Sequence, residues 1–305
     1  MSAPPATRQP APRSALRRLV ARHPVAAFLI MVYTVNTAVA LVPVLTRRDI
    51  LPFGLAPYES LGPIFGVALP AFVVVAAVGG KEGVSGLARR SLRWRVSVGW
   101  YLLAFFSVPI SVVVSASVIF GLTPLNALLS KWELLFTYVL PQLVLLIVFF
   151  IVAEEIGFMG FLQARLQERY GPLKASVIVT LPFALYHLPA LLVEGGLTLA
   201  QLPLTLVLLG ILAISQMFGR IVLMWLYNNT TRSVLLVGLF HSSFDATTSR
   251  AGFAGEFIPG GTAAAFFIPS GLLAVAAVLI VVFTKGRLSY KPESAPQPTT
   301  ATPLQ

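Results

Sequence analysis

The chain has 305 residues, of which 57% are hydrophobic and only 11% charged, whereas a soluble domain is nearer a quarter charged. That balance points to a multi-span membrane protein. The net charge of +11 fits cytoplasmic loops rich in Lys and Arg rather than a nucleic-acid partner, and the lack of cysteine excludes disulfides, thiolate metal sites and cysteine nucleophiles.

Met1–Arg22 is rich in Pro, Ala and Arg and reads as a disordered basic tail able to touch anionic lipid. The apolar run that follows is too long for a cleavable signal peptide, and no small-residue cleavage site closes it. A span needs about 20 mostly apolar residues. Candidate spans are 24–45, 60–79, 97–121, 134–157, 174–193, 201–227, 232–249 and 262–284. The seventh is short and polar towards its end, as expected of a helix half-buried among its neighbours. Lys291–Gln305, rich in Pro, Thr and Ser, reads as a second tail. The expected fold class is all-α, a polytopic membrane protein of about eight transmembrane helices. One helical domain spans 23–287, between disordered tails at 1–22 and 288–305.

Orientation follows from the basic residues. Arg8, Arg13, Arg17, Arg18 and Arg22 precede the first span, and Lys81, Arg89, Arg90, Arg93 and Arg95 follow the second. Arg165, Arg169 and Lys174 follow the fourth, and Lys285, Arg287 and Lys291 follow the last. With eight spans these groups share one face, which places both termini in the cytoplasm. Arg47 and Arg48 lie on the other face, beside Asp49. No internal repeat suggests an inverted-repeat transporter. Gly62-x-x-x-Gly66, beside Pro63, reads as local packing or a turn.

Three short patterns stand in order within the apolar stretches: Glu154-Glu155, Phe183-x-x-x-His187 and His241-x-x-x-Asp245. A charged side chain at mid-bilayer costs about 2.5–3.5 kcal/mol even on insertion scales, so such residues usually line an aqueous cavity. Residues four apart share a helix face, so Phe183 and His187 form one stripe, and His241 and Asp245 another. Glu154 and Glu155 diverge by about 100°, so one of them needs a partner elsewhere. Each pattern alone has an ordinary explanation: a solvated helix end, a satisfied packing histidine, a local side-chain pair. Together, in spans without solvated faces, they form a hydrolytic constellation. A carboxylate or imidazole can take a proton from water, while a second imidazole holds the developing oxyanion. Alternatively, two His and two acids can hold a divalent metal that activates the water.

At these residues the chain resembles the CPBP family of intramembrane proteases, which includes type II CAAX prenyl endopeptidases and bacteriocin-processing or immunity proteins. The family pattern is Glu-Glu-x-x-x-Arg, Phe-x-x-x-His and His-x-x-x-Asn/Asp, on separate transmembrane helices. The resemblance covers roughly 134–250 and includes a turn-like approach to the third motif, from Trp225 to Ser233. It implies an integral protein of the bacterial plasma membrane that hydrolyses a peptide bond. Its substrate would be a membrane-associated peptide or lipid-modified protein. The resemblance further implies that Glu154 and His187 activate water, that His241 and Asp245 form the oxyanion site, and that Phe183 packs beneath His187. The family is described both as metallo- and as glutamate-type, so a zinc-like ion on Glu154, His187 and His241 stays open. One position departs from the pattern: Met159 stands where the family has Arg. Glu155 thereby loses its i+4 partner, and Arg220, deep in the sixth span, is the available replacement unless it snorkels to the interface. Without a replacement, the chain would be a catalytically weak or inactive family member acting as a binding, scaffold or immunity protein.

Overall fold

Every described element is a helix, as long apolar runs in a bilayer require. Hydrocarbon offers no partner to backbone N–H and C=O groups, and a helix satisfies them within one segment. The computed structural model describes residues 14–47, 50, 64–147, 152–194, 199–248, 253–259 and 261–292. In chain order the helices are α1 (Ala15–Arg22), α2 (Pro24–Arg47), α3 (Ile64–Ser91), α4 (Val98–Phe120), α5 (Thr123–Ser130), α6 (Leu135–Leu145), α7 (152–170), α8 (Pro172–Glu194), α9 (Leu202–Asn229), α10 (Val234–Thr248), α11 (Phe253–Phe257) and α12 (Gly261–Thr284).

The protein is an all-α polytopic membrane protein. Among the described residues five helices, within α3, α4, α8, α9 and α12, are each long and apolar enough to cross a bilayer. The number rises to seven if α1–α2, bent by 102°, and α5–α6, bent by 78°, each form one span. In their described residues the eight expected stretches are largely helical, but three are not simple spans, and the first, α2, qualifies only together with α1. The stretch 134–157 is divided between α6 and the start of α7, and residues 148–151 lie outside those described. Helix α10 has 15 residues, about 22 Å at 1.5 Å per residue, short of the roughly 30 Å hydrocarbon core.

Burial on α4 shows how the bilayer acts as solvent. Ala104, Val108, Val112 and Ala116 are buried, while Leu102, Phe106, Ile110, Val114 and Val118 are exposed. Small residues therefore face the bundle, and large apolar ones face where lipid would lie. Two apolar clusters result. One joins α4, α9, α10 and α12 around Met224, Leu236 and Met159, and the other joins α2, α3 and α8 around Phe28, Phe158 and Phe183. Helix α7 lies between them, with Met159 in the first and Phe158 in the second.

Both expected tails are shorter than their composition suggested. Residues 15–22 form a helix, capped by Ser14 accepting from the Arg17 amide. Arg17 Nε donates to the Ala77 carbonyl at 3.0 Å. A helix of this length is marginal alone, and this contact with α3 supports it; the Arg-rich composition concealed that. At the other end Leu288 is fully buried and its carbonyl accepts from Asn228 Nδ2 at 3.0 Å. Residues 1–13 and 293–305 of those tails, together with Arg48, Asp49 and Gly62, lie outside the described residues.

The basic segments meet at one end of the bundle. Arg93 Nη1 donates to the Thr231 carbonyl, and Ser233 Oγ donates to the Arg93 carbonyl, each at 2.5 Å. At the far end of α4, α5 and α11 are joined by an ion pair from Lys131 to Glu256. Reporter fusions after Arg95 and after Thr123 are therefore expected on opposite faces of the membrane. Finding both on one face would overturn the arrangement.

Candidate active site

The expected span 134–157 ends just beyond Glu154 and Glu155, as if the two glutamates closed a helix. They do not. The helix continues beyond them for fifteen residues, first as a π-helix over Ile156–Gln163 and then as an α-helix over Ala164–Tyr170. Arg165 and Arg169 lie on this extension rather than in a loop. Both glutamates are buried, so the solvated helix end is excluded. The wider π turn changes the register after Glu155, so the i,i+4 relation to Met159 is not that of an α-helix.

Two glycines let neighbouring helices close on this segment. A Cβ at Gly157 would collide with Val67 Cγ1 and lie 3.1 Å from the Val67 carbonyl oxygen. On α10, a Cβ at Gly238 would lie 3.3 Å from Val152 Cα. Helix α10 therefore packs directly on the start of α7, and His241, about one turn beyond Gly238, reaches the glutamates.

The result is a buried chain of charged and polar groups drawn from three helices. Arg220 Nη1 of α9 lies 2.8 Å from Glu155 Oε2, with both side chains fully buried. Glu155 Oε1 accepts from His241 Nδ1 at 2.8 Å. His241 Nε2 faces Asp245 Oδ1 at 3.8 Å, beyond hydrogen-bond length, and Asp245 remains about a third exposed. Arg220 is not snorkelling. Its guanidinium sits 3.8 Å over the Phe183 ring and 5.8 Å from Phe158, a cation–π arrangement that is stronger when desolvated. Its Nε and Nη2 have no hydrogen-bond partner among the described residues, and these ring faces take that role.

Phe183 organises the other side of the site. Its ring contacts His187 at 4.8 Å and His241 at 6.2 Å between centroids. His187 Nδ1 lies 2.9 Å from the Phe183 carbonyl. A carbonyl only accepts, so this nitrogen carries the hydrogen, and in the neutral ring Nε2 keeps its lone pair. Among the described residues no direct hydrogen bond joins His187 to Glu154. Tyr186, one position before His187, lies close enough to Glu154 for the phenol and the carboxylate to interact electrostatically.

Donor atoms of Glu154, Glu155 and His241 lie within 4.8 Å of one another, so this buried group could hold a metal ion. It differs from the expected set, because Glu155 takes the place of His187. Two carboxylates and an imidazole suit zinc by type. Both Glu155 oxygens are already engaged, by Arg220 and His241.

Sequence reasoning missed several supporting residues. Gln163 Nε2 donates to Ser176 Oγ at 2.9 Å and to the Arg220 carbonyl at 3.1 Å, tying α7 to α8 and α9. Tyr33 and Asn36 of α2 donate to the carbonyls of Pro182 and Tyr186. A phenol or amide inside an apolar span was the available signal for Tyr33 and Asn36, since such groups seek partners across helices; Gln163 lay beyond the expected fourth span and carried no such signal. Tyr186 was legible as the i+3 neighbour of Phe183.

No curated protein matches the chain. Residues 136–247, which hold every motif residue and Arg220, match the family described as type II CAAX prenyl endopeptidase Rce1-like. The motif resemblance and the match agree. Residues 136–247 are thus an Rce1-like domain of the type II CAAX prenyl endopeptidase family, carried by an integral membrane protein.

Proposed function

We propose that the protein is an intramembrane endopeptidase in which Glu154 and His187 activate a water molecule. The observation that carries this reading is the buried Arg220–Glu155–His241 chain beside Glu154. Of the two adjacent glutamates it leaves Glu154 as the one not consumed by an ion pair at hydrogen-bond distance. Glu154 takes a proton as the water oxygen attacks the scissile carbonyl, and His187 Nε2 accepts the second water hydrogen bond. With its Nδ1–H held by Glu155, His241 in its imidazolium form donates its Nε2–H to the oxygen that becomes negative. Collapse of the tetrahedral intermediate breaks the C–N bond, and Glu154 returns the proton to the leaving nitrogen. A new carboxylate and a free amine result.

If a divalent ion is used, Glu154, Glu155 and His241 would hold it, and it would supply water with a lowered pKa. Glu155 would bind it through a lone pair that its hydrogen bonds to Arg220 and His241 leave free.

The substrate in this reading is a membrane-associated peptide or lipid-modified protein. An apolar cavity of about 510 Å³ supports it. The cavity is bounded by Phe105 and Ile110 of α4, Leu128 of α5 and Leu143 of α6, and by Ala246 and Thr247 of α10 next to Asp245. In this reading both termini lie on the cytoplasmic side, which the basic residues gathered at one end of the bundle support.

Cells lacking the protein are expected to accumulate an uncleaved membrane peptide. Purified protein in proteoliposomes should cleave that peptide, and Glu154→Gln should cut the rate by roughly 10²–10⁴-fold while leaving insertion and thermal stability near wild type. An inactive binding or immunity protein would instead retain full function in cells with Glu154→Gln. That result would replace the protease reading.

A further inference from the structure

A second feature lies outside the motif site, at the end of the bundle where the basic segments meet. A cleft of about 1180 Å³ opens between the α3–α4 loop, the α9–α10 turn and the chain beyond α12. Arg93, Arg232, Arg287 and Lys291 line it together with neutral polar groups, among them Asn228 and Tyr290, and none of the described lining residues is Asp or Glu. Four cations and a set of neutral hydrogen-bonding groups form the chemistry of an oxyanion receptor.

The ordinary explanation is that these cations complement the C-terminal ends of α9 and α12. Those ends are already closed by backbone bonds. The amides of Thr230 and Arg232 donate to the Leu226 and Tyr227 carbonyls, and the amides of Gly286 and Lys285 donate to those of Val281 and Val282. The cleft walls also carry unusual backbone. Thr231, Arg232, Lys285, Leu288 and Ser289 all have φ between 43° and 65°, and among the described residues no other non-glycine does. Left-handed non-glycine residues cost energy and concentrate at ligand clamps. Most of the cleft, Arg93 and Thr284–Pro292, falls outside the residues that match the Rce1-like family.

We propose that this cleft binds a phosphate-bearing anion, and that its natural ligand is the headgroup of an anionic phospholipid. Phosphate matches the donor set, with guanidinium groups able to engage two oxygens at once. The lipid source follows from position. The cleft sits at the end of the spans α9 and α12, and Val282 and Phe283, at the rim of α12, are 64% and 81% exposed as lipid-facing side chains. A headgroup in the cleft would let its acyl chains run down that apolar face. Bound there, it would brace the α9–α10 turn, which joins the helices bearing Arg220 and His241.

The test titrates full-length protein, in neutral-detergent micelles at fixed ionic strength, with short-chain phosphatidylglycerol, short-chain phosphatidylcholine and inorganic phosphate. Saturable binding of phosphatidylglycerol alone is expected. At a contribution of roughly fivefold per basic residue near an anionic group, Arg287→Gln with Lys291→Gln should weaken it about 30-fold. Lys81→Gln with Lys174→Gln removes the same charge outside the cleft and should leave affinity within about twofold. The charge-conserving Arg287→Lys with Lys291→Arg should bind within a few-fold of wild type and guards against a folding defect. Equal weakening in both charge-removing variants, or none in either, would overturn the site. Full displacement by millimolar inorganic phosphate, with phosphatidylglycerol no tighter, would overturn the lipid assignment in favour of free phosphate.

Discussion

Arg220→Met is expected to destabilise the protein by about 3–5 kcal/mol, because it strands the fully buried Glu155 carboxylate without its guanidinium counter-ion. Arg220 and Glu155 are both fully buried and 2.8 Å apart. Glu155→Gln leaves the guanidinium without its counter-ion and should cost a comparable amount. Combining the two changes removes both charges and keeps most of the volume. The double variant should therefore lose much less than the sum, since replacing a whole buried pair by neutral groups is often nearly neutral. The measurement is a thermal or denaturant midpoint in a fixed detergent, arranged as a double-mutant cycle. Additive losses would mean that the two side chains do not interact. Hydrolysis supplies an independent readout. All three variants should be slow, because Glu155 also accepts the His241 Nδ1 hydrogen at 2.8 Å and sets that ring's orientation.

Much of this arrangement was legible in the sequence because a bilayer makes polar groups conspicuous. Glu154, Glu155, His241 and Arg220 each stood out as an ionisable residue in an apolar run, and the structure joins Arg220, Glu155 and His241 directly. Span positions were readable for the same reason. What remained hidden was continuity and register. The apolar run ending near residue 157 resembled a helix terminus, yet the helix continues to Tyr170 through a π segment. Local spacing carries no sign of an extra residue per turn, because its stabilisation comes from contacts such as Gly157 on Val67. Depth was hidden too. The close approach of α10 at Gly238, which brings His241 to the glutamates, is a tertiary contact that local spacing does not carry. The α1 helix lay inside a composition typical of tails, and its contact with Ala77 is tertiary.

The remaining large effect concerns Met159, where the family pattern has Arg. Restoring that pattern with Met159→Arg is expected to be harmful, with a loss on the order of 3 kcal/mol. Met159 is fully buried within the apolar cluster of α4, α9 and α10. Both Glu155 oxygens are already taken, so a second guanidinium there would bring an uncompensated buried charge. The outcome should change when Arg220→Met is added. The site then again holds one arginine for Glu155, approaching from α7 instead of α9, and stability should recover by at least half of the combined loss. Recovery in the swapped variant, with hydrolysis returning alongside it, would establish that Arg220 supplies from another helix the charge that the motif ordinarily supplies from its own. The opposite pattern, Met159→Arg alone stable and more active than the natural chain, would mean that Arg220 is an imperfect substitute and that this protein is an impaired member of its family.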